Sequence, residues 1–79
     1  MEKLNMFLIA LYDYGETWQE GADASEIEAS SQLSMRDIVD AGDEAVARGL
    51  AIDVSSHDHA LAWVLTPKGK LYVEALREK

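Results

Sequence analysis

The sequence predicts an α+β domain: three helices, a β-hairpin and a closing helix. Apolar residues recur at helical spacing over residues 2–14, 24–32 and 35–48. Period-two alternation replaces that spacing on both sides of a polar "SSHDHA" segment. A capping residue, Asp23, Ser34 or Thr66, stands before three of the four helical segments. The 79 residues make one domain spanning 1–79, and a chain of that size hides only about 60–65% of its unfolded surface.

Leu4, Phe7, Leu8 and Leu11 follow the i, i+3, i+4, i+7 rule and define the inward face of the first helix, with Gly15 placed as a left-handed cap. Met6, Ile9 and Ala10 lie off that stripe. A helix apolar over so much of its circumference is either deeply buried or touches a second surface. In so small a domain the second is expected. Met6 and Ile9, with Leu71 and Tyr72 of the closing helix, form the candidate homodimer surface. The segment "ETWQEGA" breaks the pattern, and Trp18 is expected to cover the core.

Asp23 and Glu26 make a capping-box pair for a second helix whose Ile27, Ala24 and Leu33 face inward. Ser34 and Asp37 repeat the arrangement for the third, Met35–Arg48. Ile38, Ala41, Gly42 and Ala45 mark its buried face, and Gly49 ends it. Gly42 permits close packing at a helix-propensity cost of roughly 1 kcal/mol. Leu50, Ile52 and Val54 then alternate with Ala51 and Asp53, and Leu61, Trp63 and Leu65 with Ala62 and Val64, as the arms of a hairpin. Pro67 occupies the favoured first position of the closing helix, whose Leu71, Tyr72, Ala75 and Leu76 are expected to pack inward.

Composition narrows the function classes. The absence of cysteine excludes disulfides and thiolate zinc sites and fits a cytoplasmic location. No apolar run has transmembrane length, so no membrane partner is expected. The apolar stretch near the start has acidic flanks and no small-residue cleavage site, and does not read as a signal peptide. The net charge of −8 matters most. Affinity for a duplex comes largely from cations that neutralise phosphates, and a chain this acidic is repelled unless its few cations share one face.

The order of elements, with the phrases "LSMRDIVDAGDEAVARGLAID" and "LTPKGKLYVEAL", resembles winged helix–turn–helix regulators of the multiple-antibiotic-resistance repressor (MarR) type. In that family the reading helix typically ends in a basic residue, Gly and Leu, matched by Arg48, Gly49 and Leu50. The wing closes on Leu-Thr-x-x-Gly, matched by Leu65, Thr66 and Gly69. The resemblance covers residues 23–76. It implies a small winged helix–turn–helix with a two- or three-stranded β-wing and a C-terminal helix. It further implies that the exposed side of the third helix and the wing are the DNA-contacting surface, and that the terminal helices pair two copies.

On this chain the implied contact positions hold Arg36, Asp37, Asp40, Asp43 and Glu44, and the wing tip holds Ser56, His57, Asp58 and His59. From Asp23 to Asp53, eight acidic residues oppose Arg36 and Arg48. Such a face favours a protein partner and disfavours nucleic acid electrostatically. A DNA-binding regulator, docked through Arg36, is the second reading. His57-x-His59 on a strand puts two rings on one side, a geometry that holds metals, yet no third ligand stands nearby; no metal or cofactor is expected. Asp43 and Glu44 are sequence neighbours and point about 100° apart on a helix, so they make no acid–base pair. With no nucleophile motif or glycine-rich phosphate loop, an enzyme is not expected. The sequence therefore points to a non-enzymatic, acidic regulatory or accessory module, of the kind found in phages and mobile elements, that acts through protein–protein contacts.

Overall fold

The computed structural model describes residues 2–15, 22–54 and 61–78. Among the described residues four helices, α1 (Lys3–Gly15), α2 (Ala24–Ser31), α3 (Met35–Ala47) and α4 (Pro67–Arg77), combine with three strands, β1 (Ala22–Asp23), β2 (Ala51–Asp53) and β3 (Ala62–Leu65). The strands form an antiparallel sheet in the order β1-β3-β2. Ala51 lies opposite Leu65 and Ile52 opposite Val64, while Ala22 of β1 lies opposite Trp63. None of the described helices is long and apolar enough to cross a membrane.

The caps set the helix starts. The Asp23 carboxylate accepts from the Glu26 N–H at 2.8 Å, the Ser34 hydroxyl from Asp37 at 3.2 Å and the Thr66 hydroxyl from Gly69 at 3.0 Å. Each contact satisfies one of the amide groups a helix leaves unpaired at its start. α2 ends on Gln32 in the left-handed region (φ 65°), and Gly49 (φ 75°) turns the chain out of α3 towards β2. Gly15, expected as a left-handed cap, is instead the last residue of α1.

The core gathers the inward stripe of α1 with Ile27, Ile38, Val73 and Trp63, all essentially solvent-free. Burying each of the large side chains stabilises the fold by about 1.5–3 kcal/mol. Phe7 and Trp63 meet edge to face, with ring centroids 5.1 Å apart, and join α1 to the middle strand.

The structure assigns the faces of β2 and changes the inward assignment in α4. Leu50, just before β2, and Ala51 within it are buried, whereas Ile52 of β2 and Val54, just after it, are 53% and 40% exposed. Ala51 is the inward residue of β2, and alternation turns its neighbour Ile52 the other way. In α4 the inward residues are Gly69 and Val73, with Tyr72 and Leu76 at the margin; Leu71 and Ala75 point to solvent. Contact between Gly69 and the Leu50 backbone fixes the rotation of α4, and every fourth residue follows.

That contact explains the Leu65-Thr66-x-x-Gly69 phrase. The Thr66 hydroxyl donates to Gly49 O at 2.7 Å while capping α4, and the Lys68 ammonium donates to Arg48 O at 3.3 Å. A Cβ on Gly69 would stand 2.0 Å from the Leu50 carbonyl oxygen. The start of α4 thereby ties down carbonyls left open at the end of α3.

Candidate functional site

α3 divides into four strips, because successive residues turn by about 100°. Ile38, Ala41, Gly42 and Ala45 form the buried strip. Asp37, Glu44 and Arg48 form a second strip. Arg36, Asp40 and Asp43 face outward. Met35, Val39 and Val46 complete the circle beside Gly42, whose position against the Trp63 indole marks the side of α3 that meets the sheet.

The predicted residues Arg36, Asp37, Asp40, Asp43 and Glu44 thus share the solvent side of one helix. The fold adds a residue that sequence position had assigned elsewhere. Lys3, at the start of α1, reaches Asp37 at 3.7 Å and Asp40 at 3.5 Å. Arg48 reaches Glu44 at 3.6 Å. Four carboxylates therefore face three cations, a formal surplus of one negative charge. Among the described residues, neither Arg36 nor Asp43 has an ion-pair partner. The face is less anionic than the count from Asp23 to Asp53 implies, and its cations are mostly engaged by its own carboxylates.

Sequence reasoning missed the apolar edge of this site. Met35 and Val46 are each 40% exposed, and Val39 is half-buried between them. Their i, i+4, i+11 spacing was the available signal, obscured by the acidic residues interleaved with them. Ser56, His57, Asp58 and His59 lie outside the described residues, as does Trp18.

The four residues of the candidate homodimer surface fall in three places. Met6 and Ile9 line a groove of about 300 Å³ with Ala10, Asp13, Ser30 and Ser31, between α1 and α2. Tyr72 turns inward, and its hydroxyl donates to Asn5 Oδ1 at 2.7 Å. Leu71 stands 68% exposed on α4. Arg77 pairs with Asp13 and lies over the Tyr12 ring, 5.1 Å from its centroid, so α1 and α4 are tied within one molecule.

One carboxyl near this surface has a shifted titration. Glu26, in the first turn of α2, is raised above its ordinary value by partial burial first, then by the adjacent Asp23 carboxylate and the hydrogen bond between them. It lies on α2, apart from the predicted residues of α3. Among the described residues, no three His, Asp or Glu side chains converge as a metal site requires.

No protein-family model matches the sequence, and neither does any curated protein. The fold is similar to the crystal structure of SSV1 F-93, with a TM-score of 0.72 and 22% sequence identity, over 99% of this chain and 84% of that one. At that identity the likeness is one of fold, a small α+β winged-helix fold.

Proposed function

We propose that the chain is a cytoplasmic, non-enzymatic winged-helix module, a small regulatory or accessory protein of the phage or mobile-element kind, acting mainly through protein–protein contacts. The supporting observation is the engagement of the cations at the α3 face. Lys3 and Arg48 are held by carboxylates of the same face, and Arg36 is its one described cation without an ion pair. A duplex-binding face needs several cations free to displace counterions from phosphates. Here docking on DNA would first have to break existing pairs and would still bring Asp43 towards the backbone. Titration of the full chain with random-sequence duplex at physiological salt is expected to give a dissociation constant weaker than about 1 μM, in the range of non-specific contact. Tighter binding overturns the reading.

One observation favours the alternative, a DNA-binding regulator of the MarR type. Arg36 is exposed in the first turn of α3, where a winged helix presents side chains to a groove. On that reading, affinity falls steeply with salt and Arg36→Ala removes most of it. Homodimerisation is compatible with both readings. The outward side of α1, with Met6 and Ile9, would supply its apolar part.

A further inference from the structure

The exposed edge of α3 carries two rows of side chains, and each row is complementary to itself when reversed. The polar row holds Arg36 and Asp43, two turns apart, about 10 Å at 1.5 Å per residue. They are the two charges of this face without an ion pair among the described residues, and their signs are opposite. The apolar row has Met35 and Val46 at its ends, each 40% exposed, with half-buried Val39 between them. At about 100° per residue the two rows run side by side, centred about 70° apart around the helix.

We infer that this edge docks on the same edge of a second copy of the chain, with the two α3 helices antiparallel across a two-fold axis. An axis perpendicular to both helices, level with Val39 and Asp40, keeps each row on its own side and reverses its direction. Arg36 then faces Asp43 of the second copy, and Asp43 faces its Arg36, about 5 Å along the helix on either side of the axis. Met35 faces Val46 of the second copy in the same way. The midpoints of the two rows differ by one residue, about 1.5 Å, so one axis serves both. A shallow crossing, about 20° from antiparallel, keeps the ends of the apolar row in contact. Asp40 lies at the rim, beyond the polar row, and each copy brings Lys3 within 3.5 Å of it, so the like charges that approach there are already compensated. At about 150 mM salt the screening length is about 8 Å, and the net charge of −8 on each copy opposes these local pairs little. One helix edge against its mate is a small interface, below about 1,200 Å² in total, and gives a weak, reversible dimer. The pairing covers the side of α3 that the winged-helix resemblance assigns to DNA, so self-association and duplex binding compete. The inference rests on the protein-contact reading above and names the partner as the chain itself, through α3 and not through α1.

The test follows self-association of the full chain at physiological salt by sedimentation equilibrium, and by the amide shifts of ¹⁵N-labelled protein between about 10 μM and 1 mM, the range of a weak contact. Concentration-dependent shifts are expected along residues 35–47. Arg36→Asp leaves only negative charge in the polar row, and Asp43→Arg leaves only positive charge. Each is expected to weaken self-association at least about tenfold, or about 1.4 kcal/mol. Mixing the two variants sets a negative row against a positive one, and the mixture is expected to associate at least as strongly as the parent. Both variants remain net negative, so bulk attraction does not supply that recovery. Val46→Lys is expected to weaken the parent by a similar factor. All three sites are exposed, and circular dichroism checks that the variants fold. A chain still monomeric at about 1 mM overturns the inference. So do shifts confined to the Met6–Ile9 side of α1, or a mixture that associates no better than its components. Titration with random duplex separates the two failures. A monomer that ignores duplex removes only the α3 pairing, whereas tight duplex binding removes the protein-contact reading itself.

Discussion

Gly42 shows how one residue joins helix to sheet. A methyl group on it would stand 2.5 Å from the Cε2 and Cζ2 atoms of Trp63, deep inside van der Waals contact. Trp63 is 1% exposed and braced by Phe7, so the indole has little freedom to yield. Two effects compete in Gly42→Ala. Alanine gains about 1 kcal/mol in helix propensity, while overpacking a close-packed core costs typically about 1–3 kcal/mol. The contact is severe and the neighbour is rigid, so overpacking wins. Urea denaturation is expected to show net destabilisation of up to about 2 kcal/mol; a variant more stable than the parent would show that Trp63 shifts freely. The sequence disclosed that Gly42 sits on the buried side of α3, because small residues at that spacing imply close approach. It did not disclose that Trp63 is what approaches, since their pairing depends on the strand register.

At the scale of elements, the caps were the most legible feature, because a cap is a local bond between residues three apart. Asp23, Ser34 and Thr66 each accept the amide hydrogen predicted for them. The rotation of α4 was not legible, because it follows from contact between Gly69 and the Leu50 carbonyl across the fold. The Asp23 cap also carries a testable electrostatic consequence. Burial and the like charge of Asp23 hold the Glu26 carboxyl above its ordinary 4.5 in the folded chain. Between that ordinary value and the raised one, the folded state binds more protons than the unfolded state, so stability falls as pH rises through the window and is regained on acidification. Asp23→Asn keeps an oxygen that caps α2 but removes the charge. In a side-chain NMR titration the Glu26 midpoint is expected to move down towards 4.5 without reaching it, because burial, the larger cause, remains. An unchanged midpoint would assign the whole shift to burial.

At the scale of the whole molecule, composition gives the net charge but not its arrangement. Lys3 is remote in sequence from Asp37 and Asp40, yet the packing of α1 on α3 sets its ammonium between them. That is why a count along residues 23–53 overstated the negative character of the α3 face, although the order of the four helices and the hairpin was legible; the two-residue β1, opposite Trp63 and Ala62, was not. The arrangement also decides how salt acts on stability. The ion pairs of Lys3, Arg48 and Arg77 are roughly half exposed, and such pairs contribute about 0–1 kcal/mol each. Against them stands the mutual repulsion of a chain with net charge −8 and a radius of gyration of 11.1 Å. At about 10 mM salt the screening length is about 30 Å, so charges across the whole molecule repel; at about 150 mM it shrinks to about 8 Å and only neighbours interact. Added salt therefore removes long-range repulsion more completely than short-range attraction. Thermal unfolding is expected to shift to higher temperature between those two salt concentrations. A shift to lower temperature would mean that the local pairs dominate, and that Lys3 and Arg48 stabilise the α3 face more than exposed pairs ordinarily do.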